Sequence, residues 1–262
     1  MPAIEAYETF YTALSLTIRP IMIAALIGGY WFALRRANVG SPSRQINWAI
    51  VSVLLTGWYG IMWWMSVQGA LTARPGHPSP LPLGLIIPIG IGLVVLPRFK
   101  SFAAAIKAAP ASFLIGLQLY RILGGNFIVL WALDAPVPAI FALPAGIGDV
   151  LTGVMALPVA FHVARQGHNW RRAGIAWNLF GIADLISALT LGFLTSPGPL
   201  QMLALGHPNL VASTYPTVLT PFFVVPLSLV LHGLSLWQLT RHGPVRNAVD
   251  AGLGTSASLE TR

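Results

Sequence analysis

The sequence predicts an all-α integral membrane protein, a seven-helix bundle with its N-terminus outside and its C-terminus in the cytoplasm. Three observations lead there. The 262 residues are 55% hydrophobic and only 8% charged, whereas a soluble domain carries about 25% charged residues, so this chain cannot cover its surface in water. Seven apolar runs approach or exceed the roughly 20 residues that a helix needs to cross the hydrocarbon core. The cations fall in alternate connections between those runs, the pattern that fixes orientation in a multi-pass chain.

The runs cover about 12–34, 46–70, 81–97, 111–132, 143–164, 173–195 and 216–239. The leading MPAIEAYETF holds two Glu and no basic residue, so the first run reads as a retained helix rather than a signal peptide. The third is short and holds Pro82, Pro88, Gly84, Gly90 and Gly92. It reads as a broken, tilted or re-entrant segment, which requires other protein around its backbone. Arg35, Arg36 and Arg44 lie between spans 1 and 2; Arg98, Lys100 and Lys107 between 3 and 4; Arg165, Arg171 and Arg172 between 5 and 6; Arg241 and Arg246 after 7. The other connections hold Glu5 and Glu8, Arg74 alone, Asp134 alone, and no charge from 196 to 215. Losing or adding one span would break this alternation. RFKSFAAAIKAA, with Phe99, Phe102 and Ile106 among three cations, reads as a short helix on the cytoplasmic membrane surface. DAPVPAIFALPAG reads as a Pro-rich outer connection that dips back toward the membrane. One transmembrane domain thus covers 1–242, and the Gly-, Ser- and Thr-containing stretch 243–262 reads as a disordered cytoplasmic tail.

The net charge of +8 does not indicate nucleic acid, because the basic residues are scattered between apolar runs and form no stripe. The absence of Cys excludes disulfides, Fe–S clusters, thiolate metal sites and cysteine nucleophiles. No Gly-rich phosphate loop, HExxH or intramembrane Gly-x-Ser-x-Gly occurs, there is no three-His zinc set, and span 7 has no Lys for a retinal Schiff base. Thirteen of the fifteen cations are Arg, amid abundant Ala, Gly and Pro, the bias of a GC-rich bacterial genome. With the loop charges, this places the chain in a bacterial inner membrane.

A repeat is suggested by Gly76-His77-Pro78 and Gly206-His207-Pro208, with Phe32, Arg36 and Trp48 matching Phe161, Arg165 and Trp177 at a similar offset. Two parallel three-helix units joined by span 4 would account for it. That three-plus-one-plus-three plan resembles the SWEET sugar transporters. Their Pro-Gln loop motif is missing, so no residue role is carried over.

Charged groups inside the membrane are costly and mark functional sites by default. Arg121 in span 4 and Asp184 in span 6 both lie about eleven residues from the outer ends of their helices, which at about 1.5 Å per residue puts them at one level. Asp149 lies in the outer third of span 5. Arg19, at a similar depth in span 1, is expected to snorkel to the outer interface. Asn126 and Asn178 add polar groups on spans 4 and 6. These residues either lock helix positions as ion pairs or line a polar cavity for an ion, a proton or a small anionic substrate. His162 and His232, at similar depth in spans 5 and 7, could ligate a haem from facing helices. His77 and His207, with Asp134, Glu5 or Glu8, could form an outer metal site of imidazole and carboxylate. In span 2, Tyr59 and Trp63 share a helical face that could stack on a planar ligand or simply pack. Pro216, Pro221 and Pro226 in span 7 predict a hinge or a fixed bend. The functional expectation is a protein that binds or transports a small molecule or ion through Arg121, Asp149, Asp184, Asn126 and Asn178. A haem- or metal-bearing membrane protein and a non-catalytic accessory subunit are the alternatives. Oligomers are compatible with each.

Overall fold

A computed structural model describes residues 2–241. The tail expected over 243–262, together with His242 and Arg246, lies outside the described residues. No strand occurs among the described residues. Seven helices are long and apolar enough to cross a membrane: span 1 (Ile4–Arg36), span 2 (Ser41–Val67), span 3 (Leu81–Arg98), span 4 (Ala111–Ala132), span 5 (Ala139–Ala164), span 6 (Trp170–Thr195) and span 7 (Thr220–Thr240). The chain is a multi-pass membrane protein.

Proline and glycine explain the irregular spans. Span 3 is α-helical over Leu81–Gly90, π-helical over Ile91–Val95 and 3₁₀ over Leu96–Arg98. Span 7 opens with a π turn, Thr220–Val224, before its α-helix Val225–Arg241. Each π turn ends two residues before a proline, Pro97 or Pro226. A helix-interior proline lacks an N–H and its ring crowds the carbonyl four residues earlier, and a wider turn accommodates both. Pro216, placed by the sequence reading inside span 7, precedes the helix. Span 4 is α-helical over Ala111–Gly116 and Asn126–Ala132, with nine 3₁₀ residues, Leu117–Gly125, between. Runs of 3₁₀ longer than three or four residues are uncommon.

The connections alternate between two ends of the bundle. At one end the Leu210 N–H donates to the Pro136 carbonyl at 2.9 Å, and Ala73, Pro78 and Ser79 share a cavity with Ser196–Leu200. The dipping segment is confined to 135–138, where Ala135 and Val137 are buried, because Ala139 already begins span 5. At the other end, a connecting helix, Lys100–Ala108, turns Phe102, Ala105 and Ile106 into the bundle against Tyr30 and Leu234. Gln238 Nε2 ties it to span 7 through the Ala109 carbonyl at 2.8 Å.

The spans differ in what surrounds them. In span 7, 67% of the most apolar window is buried inside the protein, against 6% in span 2. Trp58 and Tyr59 of span 2 pack on Phe223 at 4.6 and 5.0 Å between ring centroids. Trp63, expected on the Tyr59 face, is exposed instead. Trp48 and Trp177, paired by the suggested repeat, each donate the indole N–H to a carbonyl of the preceding span, Ile27 and Thr152, at 3.2 Å.

Candidate functional site

The 3₁₀ stretch of span 4 buries two side chains, Gln118 and Arg121. A 3₁₀ helix has three residues per turn, so positions three apart eclipse, and both face the inside. Gln118 donates to the Ser228 carbonyl at 3.1 Å. Arg121 is 2% exposed and is held by groups from spans 5, 6 and 7. Its Nε donates to Asp149 Oδ1 at 2.7 Å, and its Nη2 donates to Asp184 Oδ2. Its Nη1 reaches the Gly181 carbonyl and His232 Nε2, both at 3.2 Å.

The direction of the remaining bonds follows from chemistry. Arginine has only donors, so His232 Nε2 accepts and Nδ1 carries the hydrogen, donating to Asn178 Oδ1 at 2.9 Å. Asn178 Nδ2 then donates to the Gly174 carbonyl at 2.7 Å and to Ser235 Oγ at 3.1 Å. One network thus joins spans 4, 5, 6 and 7 through buried groups.

Three glycines make room for it. A Cβ on Gly124 would collide with the Asp149 carboxylate, one on Gly148 with the Asp184 carboxylate, and one on Gly181 with the His232 ring. Small residues at helix interfaces let backbones approach in membranes. Here the space they leave holds charged side chains rather than a neighbouring backbone.

Two neighbouring cavities adjoin the network. The inner one, about 40 Å³, is lined by Arg19, Tyr11, Ser15, Tyr120, Arg121 and Asp149 among others. The outer one, about 220 Å³, is mostly apolar and extends to the loops at 78–79 and 196–200. Phe127, Asp149, Leu185, Thr220 and Val225 line both and form the partition. Thr220 belongs to the π turn of span 7, so the helix irregularity lies at the boundary between the two chambers.

Of the residues singled out by sequence, Arg121, Asp149, Asp184 and Asn178 come together. Asp149 meets Arg121 directly. Asn126 stands apart and accepts from the Tyr7 hydroxyl at 2.9 Å. Arg19 does not snorkel: it is 5% exposed and faces the inner cavity. Its Nη2 lies 3.4 Å from the Pro216 carbonyl, and its Nη1 has no partner among the described groups.

The two histidines considered for haem have protein partners. Both ring nitrogens of His232 are engaged within the bundle. His162 Nε2 lies 3.0 Å from the His168 carbonyl in the connection between spans 5 and 6. Neither imidazole lines the cavities described above. His77 and His207 are exposed, and no group of three His, Asp or Glu suited to a metal occurs among the described residues.

The family model for a domain of unknown function, DUF8737, matches residues 80–240, more than half of the chain. The chain belongs to that family. The matched region begins just before span 3 and contains the whole network, whereas Arg19 and the first two spans precede it. Comparison with curated proteins gives no match, and comparison with solved structures gives none.

Proposed function

We propose that this chain is a bacterial inner-membrane protein that binds or transports a small molecule or ion through the polar site among spans 4–7, with span 1 closing the site. The observation that carries this reading is a pair of adjacent cavities that meet at the charge network. The 220 Å³ cavity reaches the loop end, and Asp149 lines both it and the inner chamber beside Arg121. Ion pairs that served only to lock helices would need no chamber beside them. Ligand sites are typically apolar clefts with a few convergent polar groups, and this pair of cavities has that form. By the positive-inside rule, the end carrying Arg35, Arg44, Lys100 and Arg165 faces the cytoplasm. The cavity mouth and the N-terminus then face outside.

The Cys-free sequence provides the test. Ser196→Cys in the mouth and Thr220→Cys in the partition should each react with a water-soluble, membrane-impermeant methanethiosulfonate applied to intact cells. Val154→Cys, on the exposed surface of span 5, should not. If Thr220→Cys is as inert as Val154→Cys, water does not reach the partition and the reading fails. Ser43→Cys should label only after permeabilisation; labelling in intact cells would reverse the orientation.

A further inference from the structure

The buried charges are unevenly shared. The ion pairs of Arg121 with Asp149 and Asp184 are the two found among the described residues. One guanidinium therefore answers two carboxylates, and Arg19, 95% buried by its 5% exposure, answers none. Both groups face the same small chamber: Arg19 from span 1, and the excess negative charge through Asp149 from span 5. A lone buried charge is costly in a protein interior and more so in a membrane, yet Arg19 leaves Nη1 without a partner while directing its side chain into the cavity.

Taking that cavity as the ligand site, we propose that its ligand is a small zwitterion with an apolar body, such as an α-amino acid. Its carboxylate seats on Arg19 and its ammonium faces Asp149. Charge balance selects this chemistry. The four intramembrane groups sum to zero, and a zwitterion leaves that sum unchanged. A simple anion or a simple cation would each leave one net charge in the bundle. Arg19 offers the planar fork that holds a carboxylate by two parallel N–H donors. The chamber of about 40 Å³ accommodates about three water-sized groups at roughly 10–15 Å³ each, which matches the carboxylate, while Asp149 on the partition meets the ammonium. The apolar body then crosses the Phe127–Thr220 partition into the 220 Å³ cavity.

The test uses three molecules with one carbon skeleton. Leucine carries both charges, 4-methylpentanoate only the carboxylate, and 3-methylbutylamine only the ammonium. Binding to the purified full chain in nanodiscs is followed by calorimetry and by the rise in Tm. Leucine should bind saturably, with each single-charge analogue at least tenfold weaker. Arg19→Met should abolish the leucine response. Arg19→Lys should keep part of that response. The proposal is overturned if either analogue matches leucine or if Arg19→Met binds leucine as the parent does. It is also overturned if none of the three binds. Labelling of Thr220→Cys decides separately whether the cavity is an accessible site, so a wrong ligand chemistry is distinguishable from a wrong site.

Discussion

Spans 2 and 7 are alike in mean hydropathy, 1.4 and 1.7, yet 6% of one window and 67% of the other are buried. Both are apolar enough to insert, and hydropathy does not distinguish their surroundings. The difference lies in the polar residues. Span 7 places Ser228, His232 and Ser235 on one buried stripe with spacings of four and three, and the hydrogen bonds of that stripe go to spans 4 and 6. Span 2 turns Val53, Ile61 and Trp64 outward and meets its neighbours through a few aromatic contacts. Lipid tails are as apolar as leucine, so helix association in a bilayer is driven by close packing and interhelical hydrogen bonds. The polar stripe of span 7 thus joins an interior that also buries Leu227, Leu231 and Leu234, whereas span 2 lies at the periphery.

Substitutions should separate the two regions widely. Arg121→Met leaves two half-buried carboxylates without their cation, and breaking a fully buried pair costs about 3–5 kcal/mol. The variant should show a large drop in Tm in micelles or fail to accumulate; a parent-like Tm would mean that the network does not hold the core together. Gly148→Ala inserts a methyl group where the Asp184 carboxylate lies. Overpacking of this kind costs about 1–3 kcal/mol, and the displaced carboxylate should also impair ligand binding. An unchanged Tm together with unchanged binding would show that Asp184 can move freely. His232→Leu removes the acceptor of one Arg121 N–H and the donor to Asn178, and stranding such groups costs about 1–3 kcal/mol. It should lie near Gly148→Ala in stability without adding bulk beside Asp184. Val53→Ala on the outer face of span 2 should stay within about 0.5 kcal/mol. A larger loss there would place a protein partner, rather than lipid, against that face.

The sequence made the seven spans legible because length, hydropathy and loop charge are properties of consecutive residues. Arg121 and Asp184 could be placed on one level by counting from helix ends, and they pair. Which way a side chain points around its helix is harder to read in a span that is apolar on every side. Arg19 was assigned to the interface on depth alone. Its direction was present in the spacing Tyr11, Ser15, Arg19, three polar residues four apart that are all buried. The same reasoning applies to Ser228, His232 and Ser235: considered singly, His232 suggested a metal ligand, and as a stripe they identify the core face of span 7. That the glycines at 124, 148 and 181 accommodate carboxylates and an imidazole was not legible. That pairing depends on contacts between helices, which no single segment encodes.

The 3₁₀ winding of span 4 has a mechanical consequence. A 3₁₀ residue advances about 2.0 Å, against about 1.5 Å in an α-helix. Nine residues wound this way, Leu117–Gly125, make the span about 4–5 Å longer than it would be as a continuous α-helix, close to one full turn. Arg121 sits midway along that stretched section, clamped to spans 5, 6 and 7. Rewinding the section would shorten span 4 and swing the guanidinium around its axis, away from both carboxylates. The charge contacts of Arg121 and the winding of span 4 are thus coupled, and a change in one would accompany a displacement of a few ångströms along the helix axis in the other.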